Sequence, residues 1–270
     1  MTADSKVKKF HQFVQVDSGP VNAAIVDLLK GNVYQVPREI IEKFAAQKHQ
    51  DIGEFLQSAE QEELLMAIDR GDWIPEIPPL PEKNELIDTT FEIHVEAGVN
   101  LEAVLAEVAQ LKGFKLQKIL YYGELPPDLP TGKHMPPILQ RTKTFQECLD
   151  NNCIDENFNK IAESFYTFTH KYNSCWGLNI AFTADGKIRP CIFSEIILGD
   201  WQHDSLASLM ERIQELWVIN KEKVQTCKDC ELRYVCFDCR EIARRHSGDL
   251  YAANPNCKYN PYKGTWAESE

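Results

Sequence analysis

The chain has no uninterrupted apolar run of about 18 residues, no apolar segment near its start and no run of five or more basic residues. A membrane-spanning helix needs about 20 consecutive apolar residues, so we expect no membrane segment. The segment from Met1 to Phe10 is polar and bears lysines, unlike a secretory signal, and we expect a cytoplasmic protein. With a net charge of −12, the 270-residue chain also lacks the basic surface on which nucleic acids bind. The sequence therefore predicts neither a membrane nor a nucleic-acid partner.

Signature motifs of common enzymes are also missing. The chain contains neither a phosphate-binding G-x4-G-K-S/T sequence nor a dinucleotide-binding G-x-G-x-x-G sequence. It also lacks the H-E-x-x-H sequence of zinc peptidases and the G-x-S-x-G sequence of α/β-hydrolases. The motifs therefore give no support for an ATP-using enzyme or for these hydrolases.

Cysteine is abundant and unevenly placed. Five of the nine cysteines lie in the last 44 residues, and two more flank a predicted hairpin. They form the pattern C-x15-C, then C-x2-C-x5-C-x2-C, then a last cysteine, and the members are Cys175, Cys191, Cys227, Cys230, Cys236, Cys239 and Cys257. Each C-x2-C loop points two thiolates the same way, and disulfides are rare in the cytoplasm.

Three interpretations of these cysteines compete: structural zinc, an iron–sulfur site, and reduced thiols with no ligand. The spacing favours a metal. Zinc sites usually separate their cysteine pairs by a dozen residues or more, so the five-residue gap favours iron–sulfur over zinc.

The N-terminal part predicts a winged-helix-like order of elements: a hairpin, three short helices and a closing extended segment. The predicted elements are strands over 10–16, 23–29 and 33–36, helices over 38–47, after the N-cap Asp51 and over 61–69, and an extended segment at Trp73-Ile74.

The rest of the chain predicts an α+β, multidomain protein. Proline-rich residues 75–81 form a boundary, and one βαβ unit follows. The predicted elements are strands over 86–95, 114–122 and 165–168, a helix over 100–112, helical segments at Cys148 and Cys153, a hairpin over 178–191 and a helix over 205–217. The predicted domains span 1–80, 81–170 and 171–270.

The C-terminal run Cys227-Lys228-Asp229-Cys230-Glu231-Leu232-Arg233-Tyr234-Val235-Cys236-Phe237-Asp238-Cys239-Arg240 resembles the SPASM domain of radical SAM peptide-modifying enzymes. Cys175, the segment from Gly186 to Cys191, and Cys257 fit the rest of that pattern. The ending Cys257-Lys258-Tyr259-Asn260-Pro261-Tyr262-Lys263-Gly264-Thr265-Trp266 is similar to that of SPASM-domain maturases encoded beside an ATP-grasp ligase, the grasp-with-spasm systems of ribosomal peptide (RiPP) maturation. The resemblance covers residues 171–270.

This resemblance implies two 4Fe–4S clusters. The implied ligands of the outer cluster are Cys227, Cys230, Cys236 and Cys257. Those of the inner cluster are Cys175, Cys191 and Cys239, with His170, Cys148, Cys153 or Asp238 as candidates for a fourth, or an open position.

The catalytic part of that family is missing from the sequence. Reductive cleavage of SAM requires C-x3-C-x2-C, and the nearest pair here, Cys148 and Cys153, is C-x4-C with nothing following. A single βαβ unit over residues 81–170 is also too little for a full barrel. We therefore expect a truncated barrel remnant without SAM cleavage.

The resemblance gives the N-terminal domain a role. Small winged-helix domains in peptide-modifying enzymes, called RiPP recognition elements, capture a leader peptide as an added strand. Here Tyr34, Val36 and the helix over 61–69 would border the groove. The leading hypothesis is an iron–sulfur accessory protein that binds a precursor peptide and assists an ATP-grasp ligase. The alternatives are a redox enzyme or electron carrier with an open cluster, and a zinc-stabilised interaction module.

Overall fold

A computed structural model describes residues 6–69, 89–127, 135–150 and 160–267 of the chain. Over these residues the fold is α+β, as the sequence predicted. The strands are β1 (Lys6–Phe10), β2 (Val14–Ser18), β3 (Asn22–Asp27), β4 (Asn32–Pro37), β5 (Leu65–Asp69), β6 (Thr89–Glu96), β7 (Phe114–Tyr122), β8 (Ile138–Arg141), β9 (Asn179–Phe182), β10 (Lys187–Arg189), β11 (Gly199–Asp200), β12 (Tyr259–Asn260) and β13 (Thr265–Trp266). The α-helices are α1 (Arg38–Ala45), α2 (Gly53–Gln61), α3 (Leu101–Val108), α4 (Phe145–Asp150), α5 (Glu163–Lys171), α6 (Leu206–Trp217) and α7 (Arg240–Ser247).

The N-terminal sheet has the antiparallel order β2-β3-β4, and the predicted hairpin between β3 and β4 is confirmed. Gly31 occupies the left-handed region at φ 72° in the turn, where glycine carries no steric penalty. Pro37 immediately precedes α1, as predicted. The prediction that Asp51 caps the second helix is wrong, because Asp51 ends a short 3₁₀ turn and α2 starts after Ile52.

The predicted helix over 61–69 is wrong. Residues Leu65–Asp69 form β5, which pairs antiparallel with β1 over five residue pairs. Glu63 takes a left-handed φ of 60° and turns the chain after α2, and Leu64 is buried beneath the sheet. The strand partner lies about 60 residues upstream, so backbone pairing overrides the local helix propensity. The extended segment predicted at Trp73-Ile74 lies outside the described residues.

The central sheet has the order β11-β10-β9-β6-β7-β8, with β9, β6, β7 and β8 parallel and β10 and β11 antiparallel at one edge. The predicted βαβ unit is confirmed as β6-α3-β7, and the Asn100 side chain accepts a hydrogen bond from the Ala103 N–H as the N-cap of α3. Strands before and after residue 170, the predicted domain boundary, lie in this one sheet. The sheet also contains more parallel strands than the single βαβ unit predicted.

The predicted strand over 165–168 is wrong, because these residues lie in α5. Tyr166 contacts His170 one turn later, with ring centroids 4.6 Å apart, which is a helical spacing. A four-residue apolar run does not distinguish a strand from a buried helix by periodicity alone. The hairpin predicted around Asp185-Gly186 and the helix over 205–217 are both confirmed, as β9–β10 and α6.

Two hydrophobic clusters place the cysteine loops. One lies between the central sheet and the helices α3 and α6. The other joins Ala24 and Val26 of β3 to Leu232, Tyr234 and Tyr259 of the C-terminal loops. The N-terminal sheet therefore packs on the cysteine-bearing segment and fixes its position. Among the described residues, no helix combines the length and the apolar character needed to cross a membrane.

Candidate metal centre

Most of the described cysteines lie at turns and at the ends of helices and strands, whereas Cys148 lies within α4. Cys175 precedes β9 and Cys191 follows β10, so the β9–β10 hairpin brings them to one end of the sheet. Cys227 begins a 3₁₀ turn, and Cys239 occupies the N-cap position of α7. Cys191, Cys227, Cys236 and Cys239 are buried, Cys148, Cys175 and Cys230 are partly buried, and Cys257 is exposed.

Cys148, Cys175, Cys191 and Cys239 form one group, which we call the inner set. A hydrogen bond to Cys239 and burial raise the pKa of Cys175, and the nearby thiols of Cys239, Cys191 and Cys148 raise it further. Burial and then Cys239 raise the pKa of Cys191 to about 12. Burial raises the pKa of Cys148 as well, and Cys239 is among its charged neighbours. These mutual effects indicate that four thiols from four separate segments lie near one another.

Helix α4, which carries Cys148, is held against the inner set by aromatic contacts. The Phe145 ring centroid lies 6.0 Å from that of Phe193, two residues after Cys191. The guanidinium of Arg245, from α7, stacks 4.2 Å above the same Phe145 ring. The helix with Cys148 is therefore attached to the segments that carry Cys191 and Cys239.

Cys239 is the thiol of the inner set that ionises most readily. The hydrogen bond from Cys175 lowers its pKa to about 7, against burial, with help from the backbone N–H groups of Ile242 and Glu241 in the first turn of α7. The hydrogen bond from Cys175 favours ionisation of Cys239, and the same bond opposes ionisation of Cys175. Cys239 is therefore the inner thiol that could most readily supply a thiolate.

Cys227, Cys230, Cys236 and Cys257 form a second group, the outer set. Burial raises the pKa of Cys227 to about 11, and the neighbouring thiols of Cys236 and Cys257 raise it while Lys221 lowers it. Burial also raises the pKa of Cys230, and so do Cys236 and Cys227. The Leu232 N–H donates to Cys230 Sγ at 3.4 Å, which orients that sulfur.

The other candidates for the fourth inner ligand are engaged elsewhere or not described. His170 has Nδ1 2.8 Å from the Tyr166 carbonyl oxygen and stacks on Tyr234 with ring centroids 3.5 Å apart. Asp238 accepts hydrogen bonds from Arg240 and, at 3.1 Å, from the Asn173 amide. Cys153 lies outside the described residues. Of these candidates, the structure groups Cys148 with the inner thiols.

Four cysteines in each set match the ligand count of either one zinc ion or one 4Fe–4S cluster. Four thiolates on one zinc stand about 3.8 Å apart, given tetrahedral Zn–S bonds of about 2.3 Å. In the part of the chain that the structure describes, no three His, Cys, Asp or Glu side chains are arranged to hold one metal ion. A 4Fe–4S cluster takes each thiolate on a different iron, so its ligands stand further apart. Two sets of four cysteines fit the ligand count of two such clusters.

A tyrosine and a histidine that the sequence did not single out lie beside the inner set. Burial raises the pKa of Tyr122 to about 12, with further contributions from Cys191, Cys148 and Cys175. The Tyr122 hydroxyl lies 3.4 Å from His94 Nδ1, and the rings stack at 5.5 Å. Neither residue belongs to a sequence motif. The parallel pairing of β6 with β7 brings them together.

Buried His94 should make the fold sensitive to acid. Burial, followed by the charges of Lys118 and Arg141, lowers its pKa from 6.5 to about 4. The unfolded chain therefore gains this proton as pH falls below 6.5, whereas the folded chain resists until about pH 4. We expect the free energy of unfolding to fall by about 3 kcal/mol over that window through this group alone. The measurement is urea unfolding of the wild type and His94→Phe between pH 7 and 4.

The phenylalanine variant keeps an aromatic ring beside Tyr122 but does not titrate, so it should lose less stability on acidification than the wild type. His246→Gln, at an exposed position on α7, is the matched control and should follow the wild type. Equal acid sensitivity of the wild type and His94→Phe would contradict the prediction.

A cleft of about 560 Å³ adjoins the inner set between the central sheet and α5. Its walls combine aromatic rings, hydroxyls and amides with the Lys118–Glu92 ion pair, whose Nζ and Oε1 are 2.6 Å apart. The lining residues include Ser174, directly before Cys175. Such a mixed surface suits a peptide better than a purely apolar ligand.

The predicted peptide-binding residues of β4 take part in contacts within residues 6–69. Tyr34 donates a hydrogen bond to Glu62 Oε2 at 2.7 Å and accepts one from Asn32 Nδ2 at 2.8 Å. Val36 packs against the cluster around Ile25 and Ala59. The third element of the predicted groove, the helix over 61–69, is the strand β5 described above.

Comparison of the chain with protein-family models, with curated proteins and with solved structures finds no match in any of the three.

Proposed function

We propose that this chain is an iron–sulfur accessory protein of ribosomal-peptide maturation that binds a precursor peptide and assists a partner ATP-grasp ligase. The observation that carries the proposal is the grouping of eight thiols in two sets of four, the inner set and the outer set. The missing SAM-cluster triplet supports a role without SAM cleavage.

Each set would hold one 4Fe–4S cluster. When bound, such a cluster cross-links its loops and supplies a one-electron couple. The inner thiols would join α4, the β9–β10 hairpin and the start of α7, and the outer thiols would join the C-terminal loops. Most of these thiols have raised pKa values without a metal, so cluster binding would release protons. The free energy of cluster binding would also stabilise the folded state.

A peptide has two surfaces available in this proposal. The leader would add as a strand to the outer edge of β4 beyond Asn32, which already forms a bridge with Lys160, and would use backbone hydrogen bonds rather than the packed side chains of Tyr34 and Val36. The segment to be modified would lie in the cleft beside Ser174. The net charge of −12 favours a basic leader.

The two alternatives have less support. A redox enzyme with an open cluster needs an iron that lacks a protein ligand, whereas Cys148 would supply the inner set with a fourth thiolate. A zinc module would join two cysteine pairs that zinc sites usually separate by a dozen residues or more, whereas five residues separate the two C-x2-C pairs here.

The test is metal analysis of protein purified without oxygen. We expect about eight irons and about eight acid-labile sulfides per chain, with broad visible absorption. Zinc without sulfide would reject the iron–sulfur assignment. A second arm uses the purified protein to capture the precursor peptide and ligase encoded beside its gene. If the protein contains its clusters but binds neither the peptide nor the ligase, the maturation role is rejected and the iron–sulfur assignment is retained.

A further inference from the structure

A buried lysine lies against the outer set. Lys221 begins the 3₁₀ turn Lys221–Lys223, six residues before Cys227, and its side chain is only 7% exposed. Its Nζ lies 4.0 Å from Cys227 Sγ, within hydrogen-bond range for sulfur, and 3.9 Å from Asp238 Oδ1. An ammonium group in direct reach of a metal-ligating sulfur acts on the charge of whatever that sulfur binds.

Several charged groups surround Lys221 and Cys227. Asp238 is bound directly by the buried guanidinium of Arg240 and by the Asn173 amide at 3.1 Å. Arg240 and Lys221 together carry two positive charges against one negative charge on Asp238. Buried Glu231 beside Cys230 adds a second negative charge, so the effect on Cys227 depends on direct contact with Lys221 Nζ, whose field is stronger at low exposure than in water.

We propose that Lys221 sets the reduction potential of the cluster held by the outer set, an inference that rests on the iron–sulfur assignment above. The cluster takes one electron from an external reductant such as dithionite, and the added negative charge remains on the cluster and its thiolates. A cation and a hydrogen bond at Cys227 Sγ stabilise this reduced form more than the oxidised one. Hydrogen bonds to the sulfurs and local charge are established determinants of cluster potential.

The test is a redox titration, followed by visible absorption and electron paramagnetic resonance, of the full-length protein purified without oxygen. Lys221→Met removes the charge and the hydrogen bond, Lys221→Gln retains a donor without the charge, and Lys221→Arg retains both. We expect Lys221→Met to lower the equilibrium constant for one-electron reduction about tenfold, equivalent to about 59 mV. Lys221→Gln should fall in between, and Lys221→Arg should stay close to the wild type.

The matched control is Lys223→Met, in the same turn but exposed to solvent, which screens its charge. It should leave the potential unchanged. If Lys221→Met binds too little iron to titrate, the reduction potentials of Lys221→Gln and Lys221→Arg are compared instead. An intact cluster with the same potential in all four variants would overturn the role of Lys221 alone. Absence of any cluster from the wild type would overturn the iron–sulfur assignment and this inference together.

Discussion

Serine in place of Cys239 should halve the iron content of the protein, from about eight to about four irons per chain, with a parallel loss of sulfide. Cys239 is the inner thiol with the lowered pKa and the hydrogen bond from Cys175, so the inner set loses the thiol that ionises most readily. The outer set keeps its four cysteines and its cluster. Serine is also a favourable N-cap residue, and α7 should still begin at Arg240.

The reciprocal variant tests whether the two sets are independent. Cys236→Ser should also leave about four irons, those of the inner set, with a different spectrum from Cys239→Ser. The double variant Cys236→Ser/Cys239→Ser should retain no cluster. If either single variant lost all its iron while staying folded by circular dichroism, two separate four-cysteine sites would be the wrong description.

The same assay identifies the fourth inner ligand. Cys148→Ser should lose inner-cluster iron on gel filtration, because a serine oxygen is a harder and weaker ligand for iron–sulfur clusters than a thiolate. Cys153→Ser is the matched comparison, five residues further along the chain, and should keep the wild-type iron content. A loss in Cys153→Ser with none in Cys148→Ser would assign the position to Cys153.

Local features of the fold were predictable because their causes lie within a few residues. Asp185-Gly186 favours a tight turn, and the structure has the β9–β10 hairpin there. Asn100 reaches a backbone N–H three residues away, and α3 begins after it. Short-range geometry of this kind does not depend on the rest of the molecule.

The errors came from partners far away in the sequence. Leu65–Asp69 is a strand because it pairs with β1, and the sequence near residue 65 does not indicate that partner. For the same reason the sequence could not choose among the candidates for the fourth inner ligand. Cys148 is the one described cysteine of the short helix α4, and the contacts of Phe145 with Phe193 and Arg245 hold that helix near the other inner thiols.

The largest stability effect should come from Arg240, which directly follows Cys239 and is fully buried. Its guanidinium binds Asp238 and donates to the carbonyl oxygens of Leu250 at 3.0 Å and Ala252 at 2.7 Å. Arg240→Met retains the apolar stem but leaves Asp238 and two carbonyls without this donor. Removing one partner of a buried ion pair costs about 3–5 kcal/mol, and we expect that loss in the free energy of unfolding by urea.

A double-mutant cycle separates the charge from the packing. Asp238→Asn removes the negative charge that Arg240→Met leaves without its guanidinium partner, and the new amide oxygen can still accept a hydrogen bond from Asn173. The double variant Arg240→Met/Asp238→Asn should therefore be more stable than Arg240→Met alone. The coupling between the two substitutions should fall in the range of about 0.5–3 kcal/mol that contacting residues show.

Arg38→Met, which breaks an exposed pair with Glu42, is the control and should change stability by no more than about 0.5 kcal/mol. All four proteins must be compared at equal iron content, because bound clusters add their own stabilisation. A cost below about 1 kcal/mol for Arg240→Met would mean that water reaches Asp238, which the complete burial of this pair argues against.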